Sequence, residues 1–146
     1  MKVVLLCGGV GSRMKEETEF RPKPMVKIGE QPILWHIMKH YAHFGFKEFV
    51  LALGYKGEMI RDYFIDYRLR THDFTIDLGD EGNIAVHPRP GEPEDWKVTL
   101  ADTGLTALKG ARMKRIEKYI PPEDELFMMT YGDGVCNLNL HDLLDF

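Results

Sequence analysis

Between Lys2 and Cys7 the chain is apolar without a break, and it then stops abruptly at Gly8-Gly9. A strand that is apolar on both faces has to be covered on both, which is the situation of strands in parallel sheets flanked by helices. The glycines end it in a turn. The next segments keep to that plan. From Pro32 to about Phe44, Ile33, Leu34, Ile37, Met38, Tyr41 and Phe44 recur at helical spacing, with Pro32 suited to the first turn and Gly45 to the stop. Phe49 to Leu53 reads as a second apolar strand closed by Gly54, and Glu58 to Leu69 as a helix presenting Met59, Ile60, Tyr63, Phe64 and Tyr67. Strand, helix, strand, helix predicts an α/β, Rossmann-like, mostly parallel sheet flanked by helices.

Between Thr71 and Pro93 the pattern changes to two short β-like pieces, Phe74 to Leu78 and Ile84 to His87, separated by Gly79-Asp80-Glu81-Gly82. This predicts a hairpin insertion at about 71–93, appended to the sheet and followed by a proline-rich turn. Lys97 to Ala101 is a further strand leading into Asp102-Thr103-Gly104, and Leu105 to Tyr119 a helix stopped by Pro121-Pro122. Glu125 to Tyr131 reads as a central strand ended by Gly132-Asp133-Gly134, after which Asn139 is placed to cap a helix from Leu140. That helix runs to Phe146 without a stop signal, so the chain reads as cut at its C-terminus.

A length of 146 residues suits one domain, 1–146, with a core of its own. The 19 basic residues are spread among 23 acidic ones, so no general positive field invites nucleic acid and a polyanion needs a local constellation. The two cysteines, Cys7 and Cys136, are too few for a secreted scaffold and too far apart for a metal-binding pair, which points to reduced thiols in the cytoplasm. The apolar N-terminal run is too short for a signal core or a membrane span.

Leu6-Cys7-Gly8-Gly9-Val10-Gly11-Ser12-Arg13 comes directly after the first strand, where open α/β sheets bind ligands at the carboxyl ends of their strands. Glycines let successive backbone N–H groups face one oxyanion, and Arg13 adds a planar charged fork suited to phosphate. Met14 stands where a dinucleotide fold would have its third glycine, and the lysine-hydroxyl end of a P-loop is missing. Lys23 is mounted between Pro22 and Pro24, which restrict where its ammonium points. Asp133, between Gly132 and Gly134 at a strand end, is a partial site for a divalent cation bridging phosphates. Each has a bland alternative: a glycine turn with a solvated Arg13, a stiff surface loop, and an Asp-Gly turn.

His36, His40 and His43 share a helix opposite its apolar stripe, and a solvated or subunit-contacting face explains them better than a metal site. Cys7 reads as an inert, small apolar residue. The stripes at Met59, Tyr63, Phe64 and at Phe127 to Met129 read as core.

Taken together, Leu6 to Arg13, Glu16-Glu17-Thr18, Pro22-Lys23-Pro24-Met25-Val26 and Tyr131-Gly132-Asp133-Gly134 resemble the sugar-1-phosphate nucleotidylyltransferases. Pro32 to Lys39 and Gly54-Tyr55-Lys56-Gly57 resemble their cytidylyltransferase subgroup, so the likeness spans nearly the whole chain. The resemblance implies a Mg²⁺-dependent reaction of CTP with α-D-glucose 1-phosphate, giving CDP-glucose and pyrophosphate for CDP-linked deoxysugars of bacterial surface polysaccharides. A uridylyl- or thymidylyltransferase of the same fold, and a truncated non-catalytic nucleotide binder, are the alternatives.

Carried onto this chain, the resemblance makes the backbone of Leu6, Cys7, Gly8, Gly9, Val10 and Gly11 the nucleotide cradle, with Ser12 and Arg13 at the triphosphate. Lys23 contacts phosphates at the reacting centre and Asp133 holds Mg²⁺. Thr103 and Gly104 face the nucleotide or sugar, while Arg112 and Gly132 touch substrate. The implied partners are CTP, glucose 1-phosphate and further copies of the chain in a homo-oligomer; nucleic acid and membrane are not among them. Ala107-Leu108-Lys109-Gly110-Ala111-Arg112 departs from the Thr/Ser-Met-Thr-Gly-Gly-Arg that the subgroup carries after its Asp-Thr-Gly turn, keeping only the glycine and the arginine in place. The family's second metal-binding aspartate and much of its sugar pocket fall beyond this length of chain.

Overall fold

A computed structural model describes residues 1–10, 19–87 and 95–146. In chain order the elements are β1 (Val3–Cys7), a single 3₁₀ turn at Lys23–Met25, β2 (Lys27–Ile28), β3 (Gln31–Pro32), α1 (Ile33–His43), β4 (Glu48–Leu53), α2 (Gly57–Ile65) and α3 (Tyr67–Thr71). The second half of the chain adds β5 (Asp73–Asp77), β6 (Asn83–His87), β7 (Lys97–Asp102), α4 (Lys109–Ile116), a 3₁₀ turn at Glu117–Tyr119, β8 (Met128–Tyr131) and α5 (Leu140–Asp145).

β7, β4, β1 and β8 form one four-stranded sheet in that order. All three pairings are parallel, with Val3 opposite both Phe49 and Met128, and Leu51 opposite Leu100. Because side chains alternate along a strand, β1 divides its apolar run between two layers. Val3, Leu5 and Cys7 join Phe49, Leu51 and Leu53 under Leu34, Ile37 and Met38 of α1, Ile60 of α2 and Leu140 of α5. Val4, Val50, Ala52 and Ala101 lie on the other face with Ile116 of α4. The unbroken run at the N-terminus therefore has the cause expected of it, which is helical cover on both sides of the sheet.

Several boundaries differ from expectation, and the differences have local causes. The helix expected over Glu58 to Leu69 breaks at Asp66 into α2 and α3, and Tyr67 beyond the break accepts a 2.8 Å hydrogen bond from Trp35 Nε1 while stacking on Phe64. The helix expected from Leu105 begins only at Lys109, because the carbonyls of Gly104 and Leu105 turn inward to a buried guanidinium. The strand expected from Glu125 begins at Met128, and β8 is an edge strand of the sheet among the described residues, not a central one. The β5–β6 hairpin is not appended to the main sheet but pairs only with itself, as a separate two-stranded ribbon; the proline-rich turn expected after it falls largely outside the described residues.

Phe127 and Met129 are exposed, so of that expected core stripe only Met128 is buried. Nor do the three histidines form a solvated face: His36 and His40 are half-buried, and Nε2 of His40 is buried without a partner among the described residues. Asn139 caps α5 as expected, its side-chain oxygen accepting from the His141 and Asp142 amides. No described helix is long and apolar enough to cross a membrane.

Phe49 lies in the layer under α1, 1% exposed and edge-on to Trp96 at 5.6 Å. Phe49→Ala is expected to cost about 3–5 kcal/mol of stability, through lost transfer energy and an unfilled cavity. Urea unfolding checks this, with the midpoint falling and the slope unchanged.

Candidate functional site

At the carboxyl end of the parallel strands lies a cleft of about 220 Å³ lined by Leu6, Cys7, Gly8, Gly9, Lys23, Pro24, Ala107, Leu108, Lys109, Arg112, Tyr131 and Asp133. Topology puts it there. β1 and β8 are parallel neighbours, so the glycine turn after one and Gly132-Asp133 after the other emerge side by side. The Gly132 amide donates to the Leu6 carbonyl at 3.0 Å, which continues the ladder past the strand ends. A Cβ on Gly132 would stand 2.5 Å from Cys7 Sγ, so only glycine lets β8 leave the sheet this close to β1.

Lys23 is presented by the 3₁₀ turn that Pro22 and Pro24 shape, both of them buried. Its ammonium reaches Asp133 at 2.8 Å, and both side chains are about 30% exposed. The lysine and the carboxylate, far apart in sequence, are thus each other's partner across the cleft floor. Lys109, the first residue of α4, donates to the Tyr131 hydroxyl at 2.7 Å on the same rim.

Arg112 shapes the cleft from below. It is 5% exposed. Its Nη1 donates to the Leu53 carbonyl at 3.0 Å, Thr103 Oγ1 at 2.7 Å and the Gly104 carbonyl at 2.8 Å. Nη2 donates to the Gly8 carbonyl at 2.9 Å and the Leu105 carbonyl at 3.2 Å. One guanidinium therefore joins the ends of β1, β4 and β7. Burial, together with the neighbouring Arg115, pushes its pKa down, while Asp102 works in the opposite direction. A Cβ on Gly8 or Gly54 would fall 2.2 or 2.5 Å from Arg112 Nη1, so both glycines make room for the guanidinium.

Of the expected site residues, Leu6, Cys7, Gly8, Gly9, Lys23, Arg112 and Asp133 line the cleft together. Gly11, Ser12 and Arg13 lie outside the described residues. Val10 is exposed at the end of the glycine turn. Thr103 is fully buried, its hydroxyl donating to the Leu53 carbonyl at 2.6 Å, so it and Gly104 are turned to Arg112 and not to the cleft. Arg112, expected to touch substrate, has both terminal nitrogens engaged by the protein itself. Lys109 and Tyr131 are the rim residues that sequence reasoning did not single out. In the sequence Tyr131 stands only as the first residue of Tyr131-Gly132-Asp133-Gly134, and Lys109 only within the Ala107 to Arg112 departure. No group of three or more metal-binding side chains occurs among the described residues.

Arg112→Lys keeps the charge but cannot serve acceptors on three strand ends, so it is expected to destabilise by about 3 kcal/mol, close to Arg112→Met. Thermal unfolding of the two variants beside wild type checks it. Cys7 yields a second prediction, since burial first and the Asp133 charge second push its thiol pKa up from the ordinary 9.0. A raised value favours the neutral thiol in the fold. The resulting stabilisation is present below pH 9 and is lost as pH rises above it. Melting temperature is expected to fall more between pH 8 and about 10.5 in wild type than in Cys7→Ala, while a thiol reagent labels Cys136 alone in the native chain.

Residues 3–85 match the family model described as the MobA-like NTP transferase domain. The glucose-1-phosphate cytidylyltransferase of Salmonella typhimurium is 48% identical over 146 residues, covering 100% of this chain and 55% of that protein. A probable glucose-1-phosphate cytidylyltransferase of Bacillus subtilis is 47% identical over the same span, with the same coverage. The crystal structure of HddC from Yersinia pseudotuberculosis complexed with GMP-PN superposes with a TM-score of 0.67 at 27% identity, over 99% of this chain and 52% of that one. The chain spans about half the length of the curated relatives it matches.

Proposed function

The chain belongs to the MobA-like NTP transferase domain family, and from that premise we propose that it is the nucleotide-binding part of a glucose-1-phosphate cytidylyltransferase. The reaction joins CTP and α-D-glucose 1-phosphate into CDP-glucose and releases pyrophosphate. The observation that carries this reading is the Lys23–Asp133 pair at 2.8 Å beside the glycine turn, in a chain 48% identical along its whole length to the Salmonella enzyme. The choice of base rests on that likeness.

In this reading the sugar phosphate oxygen attacks the α-phosphorus in line, forming a new P–O bond as the bond to the β-phosphate breaks. The nucleophile is already ionised at neutral pH, so no side chain has to take a proton. The protein's work is positioning and charge. Backbone N–H groups of the glycine turn face the triphosphate, Arg13 is a further ligand of it, and Lys23 neutralises phosphate oxygens at the reacting centre. Asp133 fits Mg²⁺ of the kind that arrives on nucleotide phosphates: it is one partly exposed carboxylate on the cleft, and Mg²⁺ takes one or two carboxylates beside phosphate oxygens and water. The ion, when bound, neutralises charge accumulating on the leaving pyrophosphate.

The pair has a role before substrate arrives. Asp133 and Lys23 neutralise each other on the cleft floor, and a metal nucleotide exchanges one contact for two, carboxylate to cation and ammonium to phosphate. Metal and nucleotide should therefore bind cooperatively. Calorimetric titration of the four NTPs with and without Mg²⁺ tests the reading. CTP is expected to bind best, with Mg²⁺ tightening it by about 1–3 kcal/mol. Asp133→Asn should lose that tightening while keeping metal-free affinity, since the variant leaves Lys23 unneutralised. Equal enhancement in both forms places the metal elsewhere, and indifference to the base overturns the assignment of CTP.

A further inference from the structure

Among the described residues only Lys56 and Glu81 are non-glycine residues with positive φ, at 49° and 44°. Glu81 lies in the tight turn between β5 and β6, where such backbone is routine. Lys56 belongs to no hairpin. It stands between β4 and α2, at the carboxyl edge of the sheet, in left-handed conformation with ψ 35°. Glycine adopts this backbone freely and a lysine does not, so a lysine here points to work for its side chain.

That side chain has a long-range partner. Lys56 Nζ donates to the Glu19 carbonyl. One residue earlier, the Tyr55 amide donates to the Gly8 carbonyl at 3.3 Å. Two adjacent residues of one turn thus hold chain segments on both sides of residues 9–18. The Gly8 side continues into the glycine turn of the cleft. The Glu19 side continues through Arg21 and Pro22 into the 3₁₀ turn that presents Lys23. Lys56 itself is absent from the cleft lining. Its hydrogen bond goes instead to the backbone of the segment that leads to Lys23.

We propose that Lys56 is a positioning residue for nucleotide binding: its left-handed backbone aims the ammonium at Glu19, and the β4–α2 turn thereby sets the spacing between the glycine turn and Lys23. The proposal rests on the nucleotide reading given above. Misplacing a phosphate contact by a fraction of its reach weakens binding without touching the contact itself. A lysine in this place achieves more than a glycine would, because the same turn then bonds to the Gly8 carbonyl and to the Glu19 carbonyl.

The variants to compare are Lys56→Asn, which tolerates left-handed backbone but lacks the reach; Lys56→Gly, which removes the strain; and Lys56→Arg, which restores a donor. Each is titrated with CTP and Mg²⁺, and amide hydrogen exchange is read at Met25 and Val26, whose N–H groups bond to the Pro22 and Lys23 carbonyls. Lys56→Asn and Lys56→Gly are expected to melt no lower than wild type, to bind CTP about tenfold more weakly and to exchange faster at Met25 and Val26, with Lys56→Arg recovering both. Wild-type affinity in Lys56→Asn and Lys56→Gly overturns the proposal, and so does unchanged exchange at those amides. Should wild type bind no nucleotide, the functional reading fails, while the exchange data still decide whether Lys56 holds the segment.

Discussion

A single guanidinium sits where three parallel strands end. Strands running in parallel deliver their carboxyl ends, with unpaired carbonyls, to one edge of the sheet, and those groups need donors if the loops are to pack over them. Arg112 supplies these donors to Gly8, Leu53, Gly104 and Leu105, and to the Thr103 hydroxyl. Much of the local structure depends on it. Gly8 and Gly54 lack side chains because the guanidinium occupies the space, α4 starts late because two carbonyls before it face inward, and the cleft acquires a firm base.

On that base the chemistry is arranged by pairs and not by single residues. Lys23 and Asp133 hold each other, as do Lys109 and Tyr131 on the rim. Paired charges in a half-buried cleft avoid the cost that either would bear alone, yet remain exchangeable for a ligand that offers both signs, as a metal nucleotide does. The turn after β4 belongs to the same logic one layer out, since it fastens the segments that carry the glycine turn and Lys23.

Much of this was legible beforehand where a short stretch of chain decides its own state. The unbroken apolar run to Cys7, the 3.6-residue recurrence from Ile33 to Phe44 and the Asn139 cap each appear in the structure as expected, because periodicity and capping are local matters. The Gly132-Asp133 strand end also fell where it was expected. The resemblance of the glycine turn, Lys23 and the strand-end aspartate to the nucleotidylyltransferases anticipated the NTP transferase family to which the chain belongs. Failures cluster where tertiary packing and not local pattern decides. Trp35 draws Tyr67 out of a continuous helix, Arg112 holds back the start of α4, and the β5–β6 ribbon pairs only with itself.

The order of residues alone indicated that a parallel α/β sheet would form and that its glycine turn and its strand-end aspartate would stand at one edge, since hydrophobic period and chain direction settle those matters locally. It took tertiary packing to decide that Arg112 would close three strand ends instead of facing the cleft, that Lys23 would find Asp133, and that Lys56 would reach Glu19. Those outcomes depend on a side chain meeting its partner, backbone carbonyl or carboxylate, across 104, 110 and 37 residues of chain, the separations of Arg112 from Gly8, Asp133 from Lys23 and Lys56 from Glu19. No pattern read along the chain encodes such a meeting, because the distance between the partners is set by how the layers pack.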